Sequence, residues 1–193
     1  EIKAQTLDVA TDSLTNNGVL QGSDLLIITG DRIDNQQGGK ILSGDRLAIT
    51  ADKVDNGGLW QGKNVLLDAR TFDNRGEVQS ADALQLQARE NLTTHAGSKI
   101  AAMGDAALQT LALTHAGEWS AKNLTLQADR LDNSGTLVGS SQLTLSGGQI
   151  TQQQNGKLMS GGDLRLDATG LNALGQIIAI GDLALTLADE TPE

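Results

Sequence analysis

The sequence predicts an all-β fold: a right-handed parallel β-helix (solenoid) of about nine to ten coils of roughly 20 residues. One pattern returns every 18 to 21 residues along the whole chain, and such a period is typical of a repeat array. Apolar and polar residues alternate inside each repeat, which indicates strands, and no repeat contains a stretch with helical period. The right hand follows from the rule for connections between parallel strands.

Each repeat opens on an apolar residue that precedes a turn. These residues are Leu14, Ile33, Val54, Phe72, Leu92, Leu113, Leu131, Ile150 and Leu171. Because the spacing holds over nine units, we expect each unit to form one coil and equivalent residues to stack from coil to coil.

A turn glycine and a second apolar residue follow in each unit. The glycines are Gly18, Gly39, Gly58, Gly76, Gly97, Gly117, Gly135, Gly156 and Gly175. The second apolar residues are Leu20, Ile41, Trp60, Val78, Trp119, Leu137, Leu158 and Ile177, whereas Ile100 comes one place later than the others. This order predicts a bend and then a second short strand.

The unit closes with apolar residues at every second position. The pairs are Leu25-x-Ile27, Leu47-x-Ile49, Val65-x-Leu67, Leu84-x-Leu86, Leu124-x-Leu126, Leu164-x-Leu166 and Leu183-x-Leu185. We expect these side chains to point into the solenoid from a third strand.

Composition narrows the functional classes. The 14 basic and 24 acidic side chains give a net charge of -10, and no Lys/Arg run exceeds two residues, so a nucleic-acid partner is disfavoured. The chain has no Cys, which excludes disulfides and thiolate metal sites. The longest apolar runs, Leu25 to Ile28 and Ile177 to Ile180, are too short to span a bilayer.

The whole chain, residues 1–193, is expected to be a single β-helical repeat segment of a larger protein. Residues 1–13 begin partway through a coil, so we expect the array to continue upstream. Residues 189–193 contain the single Pro beside acidic residues and are expected to be a tail or linker.

Two stretches carry a resemblance to a known family: LDNSGTLVGSSQLTLS at 131–146 and VDNGGLWQGKNVLLDA at 54–69. They resemble the filamentous haemagglutinin repeat, found in large two-partner-secretion exoproteins that include adhesins and contact-dependent growth inhibition toxin-delivery filaments. The resemblance implies the structural shaft of such a filament, and no enzymatic activity is expected of it. It also implies export through an outer-membrane partner transporter and a location outside, or on the surface of, a Gram-negative bacterium.

Two other functions are weighed against the shaft. A receptor- or glycan-binding module would use the least regular coils, from Leu92 to Arg130. A β-helical polysaccharide lyase or hydrolase would need paired carboxylates in a cleft between long loops, and the units differ by only about three residues in length. No catalytic, cofactor-binding or metal-ligating residue is assigned, and no cofactor is expected.

Four Asp-Asn pairs recur at the first turn: Asp34-Asn35, Asp55-Asn56, Asp73-Asn74 and Asp132-Asn133. A row of carboxylates is one arrangement that holds Ca²⁺. The favoured interpretation is a corner, in which Asn adopts a positive φ, bonds the local backbone and stacks on the Asn of the next coil. Thr replaces Asp in other units, which interrupts any acidic row.

His95 and His115 both lie two residues before a turn glycine, where other units have Asn. This spacing predicts that the two rings stack on adjacent coils. A two-His metal site and a pH-sensitive corner are the functional alternatives, and a hydrogen-bonding corner is the favoured interpretation.

Trp60 and Trp119 occupy the second apolar position and are predicted to lie in the core, with small neighbours above and below making room for the rings. The alternative is an exposed pair that stacks on a sugar. Gln21, Gln61 and Gln79 follow that position and are expected on a solvated face.

Overall fold

The computed structural model describes residues 1–188, which form a parallel β-solenoid of about 10 turns, about 19 residues apart. Residues 189–193, expected to be a tail or linker, lie outside the described part of the chain. The described residues form twenty strands, and none of them forms a helix long and apolar enough to cross a membrane.

The first ten strands are β1 (Ile2–Ala10), β2 (Ser13–Asn16), β3 (Val19–Thr29), β4 (Arg32–Asn35), β5 (Lys40–Ser43), β6 (Arg46–Thr50), β7 (Lys53–Asn56), β8 (Leu59–Gly62), β9 (Asn64–Asn74) and β10 (Glu77–Ser80). The next ten are β11 (Leu84–Thr94), β12 (Lys99–Ala102), β13 (Ala106–His115), β14 (Glu118–Asn133), β15 (Thr136–Gln152), β16 (Lys157–Ser160), β17 (Asp163–Ala168), β18 (Gly170–Ala173), β19 (Gln176–Ala179) and β20 (Leu183–Leu187).

Each coil contributes one segment to each of three faces, and all pairings between coils are parallel. The first face contains the row that begins Leu14, Ile33 and Val54. The second face contains the row Leu20, Ile41 and Trp60. The third face contains the row Leu26, Leu47 and Val65. Where a corner is shallow, as in β14, one strand continues from face to face.

The predicted register of the first two rows is confirmed. The nine residues that open the repeats pair in succession from Leu14 to Leu171. The second row runs without a break from Leu20 to Ile177, and Ile100 is included in it. Each coil therefore covers the inner face of its neighbour, which is how a solenoid is stabilised.

The predicted inward pair Leu25-x-Ile27 is wrong by one residue. Leu26 and Ile28 are fully buried and pair with Leu47 and Ile49 of the next coil, whereas Leu25 and Ile27 are only partly buried. Four consecutive apolar residues have no period of two, so only pairing with the next coil decides which two point inward. A slip of one residue exchanges the two faces of a strand.

Trp60 and Trp119 are fully buried, as predicted, but their neighbours in the row are not small. Trp60 lies between Ile41 and Val78, and its ring stacks across the interior on Phe72 of the first face, with centroids 4.9 Å apart and planes 15° apart. Trp119 faces His115 instead, at 6.1 Å and 56°. The neighbours of Trp60 within its own row are therefore large, and each Trp ring packs against a ring that projects from the first face.

Candidate functional site

A ladder of buried side-chain amides runs along the corner between the first and second faces. Asn16 donates from Nδ2 to Oδ1 of Asn35 at 2.9 Å. Asn35 donates in the same way to Asn56 at 3.0 Å, and Asn56 donates to Asn74 at 2.9 Å. We call this row, with Asn133 and Gln152 farther along, the amide ladder. Amides stacked in register bond along the rod because each has both a donor and an acceptor.

Each Asn of the amide ladder also closes its own corner. The Asn56 amide donates to the carbonyl oxygen of Gly58 at 3.3 Å, and the Gly58 N–H donates back to Asn56 Oδ1 at 3.2 Å. A further bond from Asn56 Nδ2 reaches the carbonyl oxygen of Glu77 in the next coil at 3.1 Å. The predicted corner bonding and Asn-on-Asn stacking are thus confirmed.

The predicted positive φ of these Asn residues is wrong. Among residues 1–188 no residue other than Gly has a positive φ, and Gly38 and Gly97 have values of 85° and 87°. The Asn residues end strands and keep extended backbone. A left-handed residue occurs at two corners widened by extra residues, and there Gly38 and Gly97 provide it without the steric cost of a Cβ.

The Asp of each pair lies on the outer side of the same strand. Asp34, Asp55 and Asp73 stack on three successive coils, and burial raises the pKa of Asp55, an effect opposed by Lys53. Asp132 accepts a hydrogen bond from Gln153 Nε2 at 3.1 Å. Residues 1–188 contain no group of three or more His, Asp or Glu side chains placed to hold a metal ion.

His115 occupies the Asn position of its coil and is fully buried. Its Nε2 lies 2.9 Å from the carbonyl oxygen of Thr136, and its Nδ1 lies 2.6 Å from Thr94 Oγ1. A carbonyl only accepts, so we assign the proton to Nε2 from this network. Nδ1 then accepts from the Thr94 hydroxyl, whose oxygen in turn accepts from the Ala116 N–H at 3.0 Å.

His95 does not occupy the Asn position, so the predicted stacking of His95 on His115 is wrong. Thr94 pairs with Asn74 and His115, whereas His95 lies on the outside with Nε2 2.9 Å from Asp73 Oδ1. The corner from His95 to Ser98 is widened, with Gly97 at positive φ.

Ser98, not Gly97, takes the place of the turn glycine in this coil. The Glu118 N–H donates to the carbonyl oxygen of Ser98, as the Thr136 N–H does to that of Gly117 in the next coil. The prediction for His95 counted two residues back from Gly97, but Gly97 is an extra residue that has no equivalent in the narrow corners. Counting forward from Leu92 gives Thr94, in agreement with the structure.

Comparison with known protein families shows which family this chain belongs to. The family model described as haemagglutinin repeat matches residues 4–76, 62–119 and 119–189, which together cover nearly the whole chain. The chain belongs to the haemagglutinin repeat family. No solved structure matches it.

Curated relatives carry the same haemagglutinin repeats within much longer chains. The chain is 38% identical over 175 residues to the 16S rRNA endonuclease CdiA of Enterobacter cloacae, covering 86% of this chain and 5% of the relative. It is 36% identical over 185 residues to a tRNA nuclease CdiA of Escherichia coli, covering 91% and 6%. The deoxyribonuclease CdiA of Dickeya dadantii is 34% identical over 194 residues, covering 98% and 6%. The chain thus spans about one-twentieth of the length of these relatives.

The amide ladder continues at Gln152, a residue that the sequence analysis did not identify. Gln152 occupies the Asn position, accepts from Asn133 Nδ2 at 2.9 Å and donates to the carbonyl oxygen of Gln176 at 2.9 Å. The signal was available, because Gln152 follows Ile150 at the same offset as Asn133 follows Leu131. The longer Gln side chain keeps the amide in line with its neighbours.

Burial makes His115 an acid-sensitive position within these repeats, since it lowers the pKa of the imidazole from 6.5 to about 4. The unfolded chain then binds a proton at a higher pH than the folded chain. We therefore predict that the stability due to neutral His115 is fully present above about pH 6.5 and is lost as the pH falls towards 4.

Urea unfolding midpoints between pH 4 and pH 7 measure this loss. His115→Asn restores the residue type that the amide ladder uses elsewhere and should flatten the pH dependence of the unfolding midpoint in this range. An unaltered pH dependence in His115→Asn would contradict the prediction.

Proposed function

We propose that residues 1–193 are a structural shaft segment of a larger secreted or cell-surface filament of the adhesin or toxin-delivery type. The observation that carries this proposal is the unbroken parallel register from Leu14 to Leu171. Each coil depends on its neighbours for burial, so the array is stiff along its axis and its length scales with the number of repeats. With strands about 4.8 Å apart, about ten coils give a rod of about 45 Å.

The names of the relatives support a role without catalysis. Three relatives that share this segment at 34% to 38% identity are named for three different substrates: 16S rRNA, tRNA and DNA. This segment is common to all three relatives and covers 5% to 6% of each. A shared segment does not account for three different substrates. We therefore assign to this segment the support of an activity located elsewhere in the filament.

Export is the second part of the proposal. The repeats of this chain resemble the haemagglutinin repeats of two-partner-secretion proteins. We therefore propose an outer-membrane transporter as the partner and a final location on the surface of a Gram-negative bacterium or outside it. A solenoid suits this route, because a coil that emerges from the transporter can stack on the coil before it without waiting for the rest of the chain.

Removal of one coil from the full filament tests the shaft role. Deleting residues 54–71 joins Lys53 to Phe72, and these boundaries match the structure because Val54 pairs with Phe72. Asn35 is then placed next to Asn74, so the amide ladder can close again. We expect adhesion or toxin delivery to persist, with the filament shortened by about 4.8 Å.

The measurements are binding to target cells and the circular dichroism of the purified filament. A control deletion of nine residues, 54–62, removes half a coil and should disrupt both folding and function. Loss of target binding in the 54–71 deletion with the β-sheet signal preserved would defeat the shaft proposal and favour direct recognition by this segment.

A further inference from the structure

Three Asn-Gly dipeptides occur in the sequence: Asn17-Gly18, Asn56-Gly57 and Asn155-Gly156. Asn is chemically labile before Gly, because Gly has no Cβ to hinder attack by its backbone nitrogen on the preceding side chain. The Gly nitrogen loses its proton, bonds to Cγ of the Asn and expels ammonia, which leaves a five-membered succinimide. Water then opens either carbonyl of the ring and yields Asp or isoaspartate. The three dipeptides lie in different surroundings, so their reactivities in the folded protein should differ.

The amide ladder holds Asn56 away from this reaction. Nδ2 of Asn56 donates three hydrogen bonds, and Oδ1 accepts from Asn35 Nδ2 at 3.0 Å and from the Gly58 N–H at 3.2 Å. The attacking nitrogen is also occupied, since the Gly57 N–H donates to the carbonyl oxygen of Asn35 at 2.6 Å. Asn56 is 1% exposed, so its reaction requires the corner to open and these bonds to break.

Asn17 lies beside the amide ladder but outside it. Asn16 occupies the ladder position, and both Asn17 and Gly18 are exposed in the bend between β2 and β3. The Gly18 N–H donates to Asn16 Oδ1 at 3.3 Å, a long bond to a side chain. Within residues 1–188 no protein group bonds the Asn17 side chain, whereas Asn16 Nδ2 donates to Gly18, Asn35 and Lys40. The reacting groups of Asn17-Gly18 are therefore weakly restrained.

Asn155 has surroundings intermediate between those of Asn17 and Asn56. Its side chain is exposed, but Gly156 is buried and its N–H donates to the carbonyl oxygen of Gln153 at 2.9 Å. That bond closes a local turn of the widened corner. The attacking nitrogen is thus freed by opening of one turn, without the loss of a contact between coils.

We propose that Asn17 is a site of spontaneous deamidation in the folded protein, that Asn155 reacts more slowly, and that the amide ladder protects Asn56. Each event replaces a neutral amide by a carboxylate, and isoaspartate also adds one methylene to the backbone. At Asn17 the new carboxylate lies in solvent. At Asn56 it would be buried in the amide ladder, where it cannot donate the bonds that the amide donates. The bonds that join the coils therefore also protect the dipeptide at which deamidation would be most destabilising.

Incubation of the whole chain at mildly alkaline pH, followed by peptide mapping with mass spectrometry, tests the proposal. Asp and isoaspartate are quantified at each dipeptide, in the native chain and in guanidinium chloride, where the three should react at similar rates. Folding should slow the reaction of Asn17 by no more than about tenfold and that of Asn56 by at least about a hundredfold, because a protected group reacts only from its open form. The rate of Asn155 should fall between these two.

Gly18→Ala provides the matched variant for this experiment. A Cβ at Gly18 meets no heavy atom within 4 Å beyond its chain neighbours, and Gly18 does not have a positive φ, so the corner accommodates Ala. The added methyl group should slow the modification of Asn17 severalfold by hindering the attacking nitrogen, and it should leave that of Asn155 unchanged.

Three outcomes would overturn the proposal. The first is equal modification of Asn17 in Gly18→Ala and in the parent chain, which would show that the Gly18 nitrogen is not the attacking group. The second is modification of Asn56 in the folded chain as fast as that of Asn17. The third is faster modification at Asn155 than at Asn17, because the restraints on the two dipeptides would then not control their reactivity.

Discussion

Asn56→Asp is expected to destabilise the protein by about 3 to 5 kcal/mol, because it leaves a charge buried without a compensating cation. Asn56 is 1% exposed, and its Nδ2 donates to Asn74, Gly58 and Glu77. A carboxylate cannot donate these bonds: the oxygen in place of Nδ2 would face three acceptors, while the other oxygen would still accept from Asn35 Nδ2 and the Gly58 N–H. Protonation of the new Asp reduces the charge penalty but restores only one donor.

The neighbouring Asp55 provides a matched control for this experiment. Asp55→Asn makes the reverse change on the same strand, but on its outer side, and should alter the free energy of unfolding by no more than about 0.5 kcal/mol. Urea unfolding at pH 7 with tryptophan fluorescence measures both variants. Equal stabilities for Asn56→Asp and the parent chain would refute a structural role for the amide ladder.

Trp60→Ala is expected to cost about 3 to 5 kcal/mol, the usual range for removal of a buried Trp from a well-packed core. The side chain is fully buried and stacked on Phe72 at 4.9 Å, so its loss leaves a cavity that Ile41 and Val78 cannot close while their strands stay in register. Trp119→Ala should cost less by about 0.5 to 1.5 kcal/mol, because Trp119 faces the tilted ring of His115 and has no aromatic stack.

Trp60→Phe separates the stacking of the ring from the indole N–H. Trp60 Nε1 is buried without a hydrogen-bond partner among the described residues, so replacing it removes an unsatisfied donor as well as some volume. We expect a cost well below that of Trp60→Ala in urea unfolding experiments. A loss as large as that of Trp60→Ala would show that the indole, and not the aromatic stack, stabilises this coil.

The repeat architecture was accessible from the sequence because one geometry recurs in every coil. Leu131, Asn133 and Gly135 stand at the same offsets as Phe72, Asn74 and Gly76, and these equivalences are the register of the structure. A period repeated nine times averages out local ambiguity, which a single strand cannot do.

The prediction for His95 failed because the number of residues in the corner varies from coil to coil. His95 was assigned by its distance from Gly97, yet the corner between them is wider than the corner after His115. The environments of the two His residues differ completely as a result: one pairs with Asp73 at the surface, and the other is buried against Thr94 and Trp119. Only the pairing between coils distinguishes them.

By itself the sequence determined the fold class, the number of coils, the inward rows of the first and second faces and the bonding role of Asn at the corner, because each of these follows from periodicity and residue chemistry. The tertiary structure alone decided which of Leu25 to Ile28 point inward, how Trp60 packs against Phe72 and which His residue enters the buried corner. These features depend on contacts between residues about 20 positions apart or on opposite faces of the solenoid, and such contacts are set by packing rather than by local pattern.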